Sequence, residues 1–187
     1  MTSIAPVPMR VLVAGATAAP DGGTPAALVH TLVTHLRRRG HEADSVVLPL
    51  RSEMALLLDH ACAWRMLNLS SSNARHIDLL IATGFPAWCA RHPRKVAWIA
   101  HEDPLAGADW TGGGANTDAD AEDRLRRRLV ELDARALAEC RRVFVGGVAT
   151  AARLKRWAGV EAGLLSAPPP AGDQRSAWDR IIEQLLG

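Results

Sequence analysis

Short, mostly apolar runs alternate with segments of helical periodicity along this chain, and this alternation restricts the folds open to it. Six such runs stand out, at residues 11–14, 43–48, 77–82, 96–100, 143–145 and 163–165. Runs of this length are typical of strands that are buried on both faces of a parallel sheet. A helix between successive strands supplies the crossover that parallel pairing requires. The pattern therefore predicts an α/β fold, with a parallel sheet of about six strands and helices on both faces.

The segments between these runs carry the helical signal. Leu28, Leu32 and Leu36 recur every four residues after the first run, and Gly40 follows as a helix stop. Further helices are predicted over residues 52–69, 87–91, 125–137 and 148–158. The Gly- and Asp-rich residues 107–121 are predicted to form a loop.

A proline-rich stretch, residues 168–175, separates the predicted sheet domain, residues 1–167, from a final segment, residues 176–187. This composition is typical of a stiff linker. In the final segment five apolar side chains follow helical spacing, namely Trp178, Ile181, Ile182, Leu185 and Leu186. Because an apolar stripe needs a surface to cover, we predict a C-terminal helix that docks back on the domain.

Composition narrows the classes of function. A net charge of +2 over 187 residues argues against a dedicated nucleic-acid binder. The odd cysteines Cys62, Cys89 and Cys140 predict reduced, buried thiols rather than a disulfide framework. No apolar run approaches the ~20 residues of a membrane span, and no signal-peptide pattern stands at the start. We expect a cytoplasmic, bacterial protein with no membrane span, and its composition is compatible with a homo-oligomer.

The turn after the first strand is a candidate phosphate site. Gly22 and Gly23 leave the backbone open to a ligand, Thr24 is a candidate N-cap, and Pro25 suits the first helical position. The N–H groups and the dipole of a helix that begins there would attract a phosphate. An ordinary turn with nothing bound explains the same residues.

Several short motifs occur in a specific order between residue 10 and about residue 170. They are the Gly22-Gly23 turn, residues 39–42 (Arg-Gly-His-Glu), residues 92–101, Asp133, residues 142–145, Arg153-Leu154 and Pro168-Pro169. No single element is specific, but the ordered set resembles the N-terminal domain of retaining GT-B glycosyltransferases, the group that includes glycogen and sucrose synthases. The resemblance implies one Rossmann-like domain.

In that family a Pro-Pro pair leads into a nucleotide-sugar domain, after which a Trp-containing helix returns to the first domain. Residues 176–180 resemble this returning helix only a few residues after Pro168-Pro169. The resemblance therefore implies the acceptor-side half of a glycosyltransferase, inactive unless a partner protein supplies the nucleotide-sugar-binding domain. It implies no cofactor: the nucleotide-sugar is the donor substrate, and a glycan or small molecule is the acceptor.

The resemblance also assigns roles to residues. It gives His101 as the catalytic residue beside the reacting sugar, with the donor phosphate held by Gly22, Gly23 and Thr24, and the acceptor contacted by Glu102, Asp103 and Trp110. An imidazole can donate a hydrogen bond to a sugar hydroxyl or move a proton. No metal site is predicted, because the acidic residues beside His101 lack a second ligand cluster with recognisable spacing.

Two other classes of function remain open at this point. One is a non-catalytic module, derived from a glycosyltransferase, that binds a sugar, a nucleotide or a protein. The other is an unrelated Rossmann-like enzyme that uses His101, Glu102 and Asp103 directly. His101 also fits a strand-end histidine whose ring is satisfied by the backbone. Trp64, Trp88, Trp98, Trp157 and Trp178 are predicted core residues, and the arginine runs 37–39 and 126–128 are predicted solvated surfaces.

Overall fold

The structure is a computed structural model that describes residues 7–17, 23–51, 54–100, 119–167 and 174–187. Its elements are β1 (Arg10–Thr17), α1 (Gly23–Arg38), β2 (Glu42–Pro49), α2 (Met54–Met66), β3 (Leu79–Ala82), β4 (Lys95–Ile99), α3 (Ala119–Ala138), β5 (Arg142–Val145), α4 (Val148–Ala158), β6 (Gly163–Leu164) and α5 (Gln174–Leu186). A small hairpin pairs Ser71–Ser72 with Arg75–His76, and a 3₁₀ turn spans Ala87–Cys89.

The six strands form one parallel sheet in the order β2-β1-β3-β4-β5-β6. The predicted α/β class and the predicted six-strand sheet are confirmed. The chain first moves outward from β1 to β2, then returns to β3 on the other side of β1 and continues outward to β6. The change of direction falls between β1 and β3. In open parallel sheets this switch point, at the carboxyl ends of the strands, is where ligands bind.

Helices cover both faces of the sheet, and alternate strand residues supply the two cores. Val11 and Val13 of β1 face the layer formed by α1 and α5. Leu12 and Ala14 face the opposite layer, which contains α2, α3 and α4. This alternation follows from the two-residue period of a strand and explains why the runs are apolar on both faces.

Helix α5 docks on α1 and on the sheet, as predicted. The Trp178 ring stacks on His35 at 5.1 Å between ring centroids and meets Trp98 edge-on at 6.0 Å. Arg39 of the segment after α1 donates to the Asp179 carbonyl at 2.9 Å and pairs with Glu183 at 3.1 Å. The helix begins at Gln174, so the last two residues of the predicted linker are helical.

Three expectations are corrected. Helix α3 begins at Ala119, inside the predicted loop, where acidic side chains complement the positive end of a helix. Cys62 is exposed rather than buried, because the inward positions of α2 are taken by Leu57, Ala61 and Trp64. Trp157 is half-buried, whereas the other four predicted core tryptophans are buried.

Helix α3, the longest described helix, is charged along much of its 20 residues. None of the helices in the described part of the chain is both long enough and apolar enough to cross a bilayer.

Candidate functional site

In the sequence, the predicted site residues come after β1 and after β4, two strands whose carboxyl ends lie at the same edge of the sheet. Gly23 and Thr24 are the first two residues of α1, and only their backbone is described. The helix begins one residue before the predicted cap Thr24. Pro25 is tolerated in this first turn because N–H groups there have no helical acceptor. The remaining predicted site residues lie outside the described residues: Gly22, His101, Glu102, Asp103 and Trp110.

A close approach at Gly15 fixes α1 over β1. A Cβ atom on Gly15 would lie 2.7 Å from Cγ2 of Val29 and 3.0 Å from the Thr83 hydroxyl oxygen, so only glycine fits without a shift. Thr83, which follows β3, donates through its hydroxyl to the Ala14 carbonyl at 3.1 Å. The switch point between β1 and β3 is therefore tightly packed, and the first turn of α1 begins at this edge.

A second close approach joins β4 to the turn between β5 and α4. The Gly146 N–H donates to the Ile99 carbonyl at 2.9 Å, and a Cβ atom on Gly146 would collide with the carbonyl oxygen of Ala100. His101 is the residue directly after Ala100. Ala100, the last described residue before His101, therefore lies beside the turn that leads into α4.

The first turn of α4 carries no side-chain cap. Its N-cap is Gly147, in an extended conformation, which has no side chain to cap the helix. The N–H groups of an uncapped first turn, together with the helix dipole, attract anions. Helices α1 and α4 each follow a strand of the parallel sheet, so their first turns begin at the same edge, and a glycine precedes each of these turns. The two helices cover opposite faces of the sheet, and β4 lies between the strands that precede them.

The Gly146-Gly147 pair was missed by the sequence analysis, although a signal for it was present. The pair follows directly on the apolar run 143–145 and precedes a helix, and, like Gly22-Gly23, it stands between a strand and the helix that follows it. Glycine is favoured in such turns because it has no side chain between the backbone and a ligand or a neighbouring segment.

Three polar residues from the family-like motifs have structural partners at the opposite, amino edge. Lys95 is 1% exposed, and its ammonium donates to the carbonyls of Trp88 at 2.6 Å and Ala90 at 2.9 Å. Buried Asp133 accepts a short hydrogen bond from the Trp88 indole. The His92 ring lies between the backbone of Arg94 and the Ile77 carbonyl. These side chains hold loops together and are not aimed at the carboxyl edge.

Neither of the two less exposed thiols is suited to nucleophilic chemistry. Burial raises the pKa of Cys140 to about 12 and raises that of Cys89 still further. Both thiols are therefore protonated at neutral pH, and a thiol is a much weaker nucleophile than a thiolate.

Within the described ranges, no three His, Cys, Asp or Glu side chains lie close enough to hold a metal ion. No protein-family model and no curated protein matches this chain. The fold and the geometry of the two sheet edges are thus the observations that bear on function.

Proposed function

We propose that this chain is the acceptor-side half of a GT-B-like glycosyltransferase, and that it receives the diphosphate of a nucleotide-sugar at the carboxyl edge of its sheet. His101 would act beside the reacting sugar, and Glu102, Asp103 and Trp110 would contact the acceptor. The chain would need a separate nucleotide-sugar-binding domain for transfer. No cofactor is required, because the donor substrate carries the leaving group.

One observation carries this proposal: the starts of two helices share the edge at which β4 ends, and the candidate histidine follows β4 in the sequence. Helix α1 begins at Gly23 and α4 begins after Gly147, on opposite faces of the sheet. A leaving diphosphate gathers negative charge in the transition state, so N–H groups fixed there in advance would lower the barrier as well as bind. The docked helix α5 is consistent with the returning helix of the same family.

A non-catalytic binding module is the second candidate, and one observation favours it. Strand β6 ends at Leu164 and α5 begins at Gln174, so nine residues, 165–173, connect them. A connection this short has no room for a nucleotide-sugar domain. In this alternative the edge binds a diphosphate, and His101 has no chemical role.

A pair of substitutions at the start of α1 tests the diphosphate site. Gly23→Asp and Gly23→Asn both place a short polar side chain in the first turn, but only the aspartate repels a phosphate. We expect Gly23→Asp to weaken binding of uridine or adenosine diphosphate about tenfold relative to Gly23→Asn, measured by titration calorimetry. The same pair at Gly147, whose Cβ direction is open, reports on α4. Equal affinities for aspartate and asparagine at both positions would refute the diphosphate site.

A second experiment separates the two candidates. The tagged chain is purified from its source cell, co-purifying proteins are identified by mass spectrometry, and any partner with a nucleotide-sugar domain is assayed with it for transfer. For a split enzyme we expect His101→Ala to abolish transfer while leaving diphosphate affinity and melting temperature unchanged. Diphosphate binding without such a partner, and without dependence on His101, would establish the binding module instead.

A further inference from the structure

An open pocket of about 810 Å³ lies at the amino edge of the sheet, opposite the candidate diphosphate site. It is bounded by the end of α2, the segment before the small hairpin, the turn before β4 and the residue after α3. Its lining includes Arg65, Met66, Leu67, Arg91, Pro93 and Glu139. The volume is within the range of pockets that hold small molecules.

Backbone contacts hold the walls of this pocket in place. An isolated parallel bridge joins Asn68 to Arg91, so the segment after α2 runs beside the turn before β4. Asn68 also accepts from the Ser70 N–H at 3.2 Å. His92 lies at 3.0 Å from the Ile77 carbonyl and accepts from the Arg94 N–H at 3.0 Å. A pocket formed in advance does not have to be ordered by its ligand, which lowers the cost of binding.

The charges of the pocket leave one cation without a counter-charge. The two carboxylate oxygens of Glu139 each lie 2.5 Å from a guanidinium nitrogen of Arg65, and Lys95 is 3.7 Å away. This carboxylate is therefore already shared by two cations. Arg91 is exposed, and within the described part of the chain its guanidinium has no hydrogen bond or ion pair. The pocket is net positive, with Arg91 as its free cation.

An apolar surface adjoins this cation. Met66 is 86% exposed although it is a large apolar side chain, and Leu67 and Pro93 line the same pocket. A flexible thioether can adapt to varied apolar shapes. A free guanidinium beside the exposed Met66 and Pro93 and the half-buried Leu67 is complementary to a molecule with an anionic head and an apolar body.

We propose that this pocket binds a small organic carboxylate, whose carboxylate group pairs with Arg91 and whose apolar body lies on Met66, Leu67 and Pro93. Guanidinium and carboxylate form two parallel hydrogen bonds, a geometry that a lysine could not reproduce. The site is separate from the diphosphate edge and does not depend on the proposed glycosyl transfer.

The test compares phenylbutyrate with its neutral analogue phenylbutyramide, using amide chemical shifts in NMR spectra of the whole chain. We expect saturable shifts from phenylbutyrate at residues 65–70, Arg91 and His92. Arg91→Gln should weaken phenylbutyrate binding about tenfold and leave phenylbutyramide binding unchanged. Arg94→Gln is the matched control, because Arg94 is an exposed neighbour that does not line the pocket.

A second variant tests the apolar part of the site. Met66→Ser should weaken both phenyl compounds by a similar factor, because it removes apolar contact without changing charge. The proposal is overturned if phenylbutyrate shows no saturable shift at these residues at millimolar concentration, or if its shifts fall elsewhere. It is also overturned if Arg91→Gln and Arg94→Gln weaken phenylbutyrate equally.

Discussion

The two edges of the sheet are built from different chemical groups. At the amino edge, charged side chains are paired: Arg65 with Glu139, and Arg75 with Glu42 at 2.8 Å. Lys95 is buried there against two carbonyls. At the carboxyl edge, the described residues contribute glycines, backbone N–H groups and the starts of α1 and α4.

Because of this difference, substitutions at the two edges are expected to have different effects: on the stability of the fold at the amino edge, and on binding at the carboxyl edge. Paired side chains close the amino edge and connect segments that are distant in sequence, so substitutions there are expected to lower the free energy of unfolding. Backbone N–H groups at a helix start belong to the main chain, so substitutions other than proline leave them in place, and such groups are suited to an anion. Substitutions that block the carboxyl edge are therefore expected to affect binding more than stability. Arg91 and Arg94 depart from this pattern at the amino edge, since both are exposed and neither has an ion pair among the described residues.

The largest effect is expected at Lys95, the buried cation of the amino edge. Lys95→Met should lower the free energy of unfolding by about 3 kcal/mol, because it strands the Trp88 and Ala90 carbonyls and removes a cation near Glu139. The measurement is urea denaturation. Lys155→Met is the control, since Lys155 is exposed and its ion pair with Glu161 is a surface pair. Equal losses of unfolding free energy in both variants would contradict the expected difference between a buried and a surface cation.

A smaller effect is expected at the carboxyl edge, from the close approach at Gly146. Gly146→Ala should cost about 2 kcal/mol, because the added Cβ collides with the Ala100 carbonyl. Gly147→Ala is the matched control, since its added Cβ has open space and its backbone is extended. Melting curves of the two variants would show the contrast. A Gly146→Ala variant as stable as the parent would mean that β4 and the turn before α4 do not pack as described.

The smallest effect is a pH dependence at the amino edge. The hydrogen bonds from Arg65 lower the pKa of Glu139, so this pair stabilises the fold above the carboxyl's ordinary pKa. That contribution is lost as the pH falls through the lowered pKa of the folded state. The stability gap between the parent and Glu139→Gln should therefore be widest near neutral pH and should close in acid. Glu131→Gln, an exposed site on α3, controls for removal of a charge. A gap that does not change with pH would contradict the pairing.

Much of the fold could be predicted from the sequence, because the four inner strands of the sheet are buried on both faces. Such strands require mostly apolar runs, and all six predicted runs correspond to strands of the sheet, including the more exposed edge strands β2 and β6. The final helix was also predictable, since the spacing from Trp178 to Leu185 leaves one apolar face that must be covered.

Other features depend on contacts that local sequence does not encode. The small hairpin turns through Asn73 and Ala74, both at positive φ, and alanine gives no warning of that conformation. The bond between Trp88 and Asp133 joins residues 45 positions apart. Lysine is normally a surface residue, and the burial of Lys95 is explained only by the carbonyls to which its ammonium donates. For the candidate site, the glycine turn and His101 remain predictions from the sequence, which also predicted the helix over 148–158; that this helix begins at the same edge as α1 follows from the order of the strands in the sheet.

The docking of α5 has a consequence for how the protein is made. Arg39 and its partner Glu183 are 144 residues apart, and Trp178 covers His35 and Trp98, which are synthesised long before it. Until α5 leaves the ribosome, one apolar face of the sheet remains partly uncovered. The nascent chain therefore has a long interval in which that face is open to chaperones or to other chains, and this face is covered only after α5 has been synthesised.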